Sequence, residues 1–201
     1  MSNLLQLLKK LPIDVGQGEL RYETAGKKIA FTFVPSRTSS EAAAAIDIGN
    51  RDDFWSARLR EKGYTMTGID KETGTDVEEG LRYSDSSFDV VWSTEVIEHL
   101  YEPKFFLDEI DRILKPHGVA VLTTPNSHWW LYYILRIFGQ TPKKVQNPDH
   151  KQFFSLTSLK AIAPDYDIYG YFPYIFMFFK ISKGISLLSP TFILVKKKHH
   201  S

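Results

Sequence analysis

Cysteine is absent from this 201-residue chain. That excludes disulfides, thiolate metal sites and cysteine nucleophiles, and it suits a reducing compartment. An excess of one charge is also missing. Lys and Arg total 25 against 24 Asp and Glu, a net charge of +1, so no broad field favours nucleic acid or an anionic membrane, and no nucleic-acid partner is expected. Long apolar runs are lacking as well. The most apolar stretch, YGYFPYIFMFFKISKGISLL, is broken by Pro173, Lys180, Lys183 and Gly184 before about 18 clean residues accumulate, so no membrane span is expected. The opening MSNLLQLLKKLP has too short an apolar run for a signal peptide, and its lysines lie on the wrong side of it, so a cytoplasmic location is expected. The final KKKHHS reads equally as a native tail or a trimmed tag. What is present, 43% apolar residues, is enough for one domain with a real core.

Residues 1–40 read as an N-terminal extension, a short helix followed by a β-hairpin in ELRYETAGKKIAFTFVP, where alternation brackets Ala25-Gly26-Lys27. Residues 41–201 read as the main domain, with an aromatic-rich insertion around 127–153. There the hydrophobic period switches repeatedly. AAAIDIG is a buried strand over 43–48. Residues 53–62 form a helix, with Asp53 able to cap it, Trp55 and Leu59 on one face and Gly63 closing it. YTMTGID and SFDVVWST are strands, and PKFFLDEIDRILKPHG is the clearest helix. A strand follows over 118–124, then a capped short helix in SLTSLKAIAP and late strands in YDIYGYF and TFILVKK. Such alternation predicts an α/β fold, a mostly parallel twisted sheet with helices on both faces. Ligands of such sheets sit at the carboxyl ends of the strands. Those ends deliver Asp47-Ile48-Gly49, Asp70 and Ser93-Thr94-Glu95 to one edge.

Gly49 lets the backbone approach a ligand. Asp70 follows 21 residues later and ends the second strand, which suits an acid that accepts hydrogen bonds from ribose hydroxyls. Capping of the strand-to-loop turn is the plainer alternative for Asp70. The dinucleotide fingerprint G-x-G-x-x-G is missing, which argues against a nicotinamide-dependent oxidoreductase. After Gly49 the loop runs Asn50-Arg51-Asp52-Asp53, and its acids would repel a pyrophosphate. A nucleoside with a positive centre and no phosphate fits better.

The blocks AIDIG, GYTMTGID and YSDSSFDVVWSTEVIEHLYEPKFFLDEIDRILKPHGVAVLTTPN resemble the class I S-adenosylmethionine-dependent methyltransferases, within the group of quinone-biosynthesis and small-molecule enzymes. The resemblance covers residues 43–126 and is most specific from Phe88 to Asn126. It implies a Rossmann-like, seven-stranded sheet whose last strand is antiparallel, with S-adenosylmethionine as cofactor. It implies that Asp47 and Gly49 contact the methionine end of the cofactor, that Asp70 holds the ribose and that Asp76 and Val77 flank the adenine. Thr94 and Glu95 would face the cofactor. Arg51 and Asp53 stand where the family usually has glycine; the Arg51 charge could hold the cofactor carboxylate. The stretch from Asp70 to Phe88 is too short for the family's usual helix and third strand, which implies a smaller sheet and a more open adenine pocket.

Methyl transfer chiefly requires alignment, and a base helps where the acceptor is a hydroxyl. His99 is the first candidate, with Glu95 one helical turn away to orient it, and His150 in NPDHKQFF is the second. Packing or structural hydrogen bonding competes for both. No metal is expected. The segment HWWLYYILRIFGQTPKKVQNPDHKQFF reads either as a core-capping helix with a dimer contact or as a lid over an apolar or lipid-linked acceptor, with peripheral contact to a membrane. The functional expectation is a methyltransferase acting on a small or lipid-linked acceptor, oxygen preferred. The alternative is a degenerate fold that serves as a binding or scaffold module.

Overall fold

The computed structural model describes residues 22–37, 43–50, 53–173 and 178–199. The expected helix over residues 1–18 and the candidate Arg51 lie outside the described residues. The elements run α1 (Tyr22–Phe31), β1 (Ala43–Ile48), α2 (Phe54–Glu61), β2 (Tyr64–Ile69), β3 (Phe88–Thr94), α3 (Pro103–Ile113) and β4 (Leu114–Pro125). Then come α4 (Trp130–Ile137), α5 (Pro142–Val145), α6 (Leu156–Ile162), β5 (Asp167–Pro173), β6 (Phe178–Ile181), α7 (Ile185–Leu188) and β7 (Thr191–Lys197). The strands form one sheet in the order β2-β1-β3-β4-β7-β5-β6. β2, β1, β3 and β4 pair in parallel, while β7 is antiparallel to both β4 and β5. The expected α/β architecture with an antiparallel last strand is therefore present.

The sheet is covered on both faces because its strand residues alternate sides, apart from the irregular register between Phe88 and Val90 of β3. Ile46, Val91, Leu122 and Leu194 point to a core shared with Phe106 and Ile110 of α3, Leu159 of α6 and Ile185 of α7. Ala45, Trp92, Val121 and Ile193 point the other way, into a core shared with Ala30 of α1 and with Trp55 and Leu59 of α2. Small Ala43 and Ala45 leave room on this face for Trp55 and Trp92, whose rings lie 5.1 Å apart.

Three expectations need correction. The N-terminal β-hairpin is a helix, α1, continuous through Ala25-Gly26-Lys27. Its Ala25 and Ala30, followed by Val34, are buried, and it closes one sheet face instead of standing apart as an extension. Gly26 belongs to that packing: a Cβ there would lie 2.9 Å from the Tyr171 ring. Second, Asp53 does not cap α2 with its side chain. Its backbone is left-handed at φ 55°, and its carboxylate instead takes two bonds from Arg60 at 2.9 and 3.1 Å. Third, the sheet is not reduced in strand number. The crossing from Asp70 to Phe88 indeed lacks the helix and strand, holding only the 3-10 turns Lys71–Thr73 and Val77–Glu79, but β6 adds a seventh strand at the far edge. α3 orders this bare crossing: Arg112 donates to the carbonyls of Leu81 and Tyr83 at 2.7 and 2.6 Å, and Glu109 accepts from the Leu81 N–H at 2.7 Å.

Beyond β4 the chain is anchored by Asn126, which is fully buried. Its amide nitrogen donates toward the carbonyls of Ile185, Ser186 and Ser189 at 3.3, 2.9 and 2.7 Å, and its oxygen accepts from the His128 N–H at 2.9 Å. Asn126→Ala leaves several buried groups unpaired and is expected to cost about 2–3 kcal/mol in urea unfolding. A loss below about 0.5 kcal/mol would mean that water replaces the amide.

Candidate functional site

Ile48 is in register with Ile69 on one side and Ser93 on the other, so Gly49, Asp70 and Thr94 leave three adjacent strands at one level. Adjacent strands are about 4.8 Å apart, so the three residues form a short arc along the carboxyl edge. Glu95 follows, its Oε1 accepting from the Thr123 hydroxyl of β4 at 2.8 Å. The structure thus brings together Gly49, Asp70, Thr94 and Glu95.

The Gly49 backbone has φ 86°, and its N–H donates to the Ile69 carbonyl at 2.8 Å. A Cβ at Gly49 would lie 2.5 Å from Val96 Cγ2, so the turn is closed against the loop after β3. Asn50 folds back over β2, with its amide where a Gly68 side chain would stand, and its Oδ1 accepts from the Asp53 N–H at 2.9 Å. Asp70 is half-buried and caps the Lys71–Thr73 turn: Oδ1 accepts from the Glu72 N–H at 2.8 Å. The capping alternative is therefore real, and it is a reciprocal capping box with Thr73.

The other candidates sit differently. Asp47 is buried below the rim, where its Oδ2 accepts from the buried Ser56 hydroxyl of α2 at 2.9 Å. Asp76 caps the Val77–Glu79 turn and pairs with Lys71 at 2.9 Å, and that bond holds its carboxyl below the ordinary aspartate value. Val77 is part of the hydrophobic core.

The segment after β3 departs from expectation. Glu95 has φ 58°, which removes it from any right-handed helix, and the turn proper is only Ile97–His99. The helical i,i+4 pairing of Glu95 with His99 therefore does not form. Instead, His99 Nδ1 lies 3.3 Å from the Asp149 carbonyl, and its ring meets that of His150 edge-on at 4.8 Å. A carbonyl can only accept, so Nδ1 carries the proton in this contact.

Glu98 is the residue the sequence reading missed. It is 1% exposed, its Oε2 accepts from the Thr124 hydroxyl at 3.0 Å, and its Oε1 lies 3.9 Å from His150 Nε2. Burial first, and then the Glu95 carboxylate, push its carboxyl well above the ordinary value. Burial and then His99 hold the His150 imidazole down at about 4. Glu98, His99 and His150 each bring one ligand-type atom to within 4.8 Å of the others, the one such set among the described residues, although the sequence suggested no metal.

Between the ordinary glutamate value of 4.5 and its raised folded value, folded Glu98 keeps a proton that the unfolded chain has released. Its contribution to stability therefore falls as pH rises through that window. His150 works on the acid side. Between 6.5 and about 4 the unfolded chain binds a proton that the folded ring refuses, so stability falls as pH drops through that range. Glu98→Gln is expected to match the parent near pH 4 and to be the more stable protein at pH 8, as read from urea midpoints. The same alkaline slope in both would contradict a buried, protonated Glu98.

A mostly parallel sheet with its last strand reversed, carrying Gly49, Asp70, Thr94 and Glu95 along its carboxyl edge, defines a Rossmann-like class. The family model described as "Methyltransferase domain" matches residues 19–168, and the chain belongs to that family. The ubiquinone biosynthesis O-methyltransferase of Caulobacter sp. (strain K31) is 26% identical over 161 residues, covering 68% of this chain and 64% of that protein. The mitochondrial ubiquinone biosynthesis O-methyltransferase of Dictyostelium discoideum is 45% identical over 56 residues, covering 28% of this chain and 17% of that protein. The chain thus spans less than two thirds of the length of these curated relatives. Among solved structures, a SAM-dependent methyltransferase from Archaeoglobus fulgidus superposes with a TM-score of 0.62 at 17% identity, covering 98% of this chain and 100% of that one, a likeness of fold. S-adenosylmethionine is the cofactor of this family. The residues present suit it. Asp70 and Glu95 put carboxyl groups on the edge, which suits a positive centre and sugar hydroxyls better than a pyrophosphate.

Proposed function

We propose that this chain transfers a methyl group from S-adenosylmethionine to a small or lipid-linked acceptor, with oxygen as the preferred acceptor atom. The observation that carries the reading is the arc of Gly49, Asp70 and Thr94 at one level of the carboxyl edge. The names of the ubiquinone-pathway relatives support a small-molecule, oxygen-directed reaction.

The cofactor supplies a methyl group already activated on a sulfonium, so the chain's task is to position and to move one proton. In this reading Asp70 accepts from the ribose hydroxyls with its carboxylate. Gly49 offers close backbone approach, and Arg51 holds the cofactor carboxylate. Asp47 is a positioning residue: through Ser56 it fixes the loop that follows β1. Asp76 and Val77 border the adenine, while Thr94 and Glu95 face the methionine end. His99 Nε2 takes the proton of the acceptor hydroxyl. His150 is neutral above about pH 4 and backs it from the adjacent ring position.

The test is transfer of isotope-labelled methyl to catechol-type acceptors with and without an isoprenoid tail. Product with either acceptor, reduced about 100-fold by His99→Gln, is the expected result. Turnover on neither, from a protein that binds the cofactor, would move the chain to the scaffold reading.

A further inference from the structure

We propose that α4 docks this protein on an anionic lipid surface. This docking face is independent of the methyl-transfer reading. Among the described residues, ten large apolar side chains are exposed, and five of them belong to α4 and the residue that ends it. Trp130, Tyr133, Ile134, Ile137 and Phe138 recur at i, i+3, i+4, i+7 and i+8, so they share one face. Ile137 is 80% exposed and Phe138 59%. The opposite face is already used: Leu131, Tyr132 and Leu135 pack with Trp129 and Val145 in a cluster of their own. The helix therefore has two apolar faces, and its own domain covers only one of them.

Charge identifies the occupant. From Asn126 to Pro148 the sequence has no Asp or Glu, yet it carries Arg136, Lys143 and Lys144. The chain as a whole is nearly neutral at +1, so this segment concentrates a single sign beside the apolar face. Lys144 donates to the Gly139 carbonyl at 2.9 Å and so closes the loop just past Phe138, while Arg136 and Lys143 are exposed. Apolar and aromatic side chains flanked by cations match the interfacial layer of an anionic bilayer. A second copy fits less well, because a two-fold contact would oppose like charges. Eight residues of helix reach only about 12 Å against about 30 Å of hydrocarbon, and no helix among the described residues is long and apolar enough to cross a membrane. α4 therefore lies in the interface plane.

The face is tied to the candidate site. The Tyr132 hydroxyl accepts from Gln146 Nε2 at 3.2 Å, and Gln146 Oε1 lies 3.4 Å from His150 Nδ1. A surface-bound α4 is thus joined through Gln146 to the His150 ring.

Co-sedimentation with phosphatidylglycerol vesicles, against phosphatidylcholine vesicles, tests this directly. The parent protein is expected to bind the anionic vesicles at least about tenfold more tightly. The double change Ile137→Glu/Phe138→Glu should abolish binding, while Phe179→Glu, an exposed aromatic on β6, leaves it intact. Arg136→Gln/Lys143→Gln removes no packed side chain and should erase the preference for anionic lipid; it keeps the test valid if the first variant misfolds. No sedimentation with phosphatidylglycerol overturns the proposal. So does binding that survives both variants, or self-association through this face without lipid binding.

Discussion

Gly49→Ala is expected to cost on the order of 2–4 kcal/mol of stability and to weaken cofactor binding by more than about tenfold. Two penalties coincide there. A side chain at φ 86° sits in the left-handed region, and its Cβ would lie 2.5 Å from Val96 Cγ2, on a stiff β-branched residue. Gly74→Ala isolates the first penalty. Gly74 has φ 93° with nothing within 4 Å of the Cβ position, so it should cost only about 1 kcal/mol. The double variant Gly49→Ala/Val96→Ala should recover part of the difference. Equal losses for the two glycine variants would mean that the turn after β1 yields without disturbing the loop after β3.

The second large effect is expected on binding alone. Asp70→Asn should weaken S-adenosylmethionine about 10–100-fold while changing the unfolding free energy by less than about 0.5 kcal/mol. The separation follows from the charge of the side chain. Oδ1 accepts from the Glu72 N–H, and an asparagine oxygen caps a turn equally well. What the amide cannot supply is a charged acceptor for a ribose hydroxyl, a bond worth about 1.5–3 kcal/mol. If Asp70→Asn lowered stability and left binding unchanged, the residue would be a cap and nothing more.

Much of this was legible in the sequence because the signals are local. The continuous apolar centre of β3 and the long stripe of α3 announce themselves, and Pro103 marks the start of that helix. The spacing from Gly49 to Asp70 also survives into the structure, as two residues at one level of the edge. α1 was not legible, because Ala-Gly-Lys between alternating apolar residues is also the pattern of a hairpin. What decides for helix is remote: the ring of Tyr171 packs where a side chain at position 26 would stand. β6 was hidden in a nearly continuous aromatic run with no period to read. Glu98 escaped for a similar reason. The hydroxyl of Thr124 and the ring of His150, 26 and 52 positions away in the chain, make it a buried carboxyl, and its neighbours in STEVIEHL carry no trace of that.

The α4 segment shows the limit from the other side. Its composition signalled an apolar helix, yet composition could not say which half is covered. The separate cluster around Trp129 answers that question, and it leaves Ile137 and Phe138 outward.

Calorimetric titration of the parent protein with S-adenosylmethionine and with its demethylated product is the most direct measurement. One-to-one binding of both ligands in the micromolar range, lost selectively in Asp70→Asn, is the predicted result. A folded protein that gives no heat with either ligand at millimolar concentration would contradict the account and leave a methyltransferase fold without its cofactor.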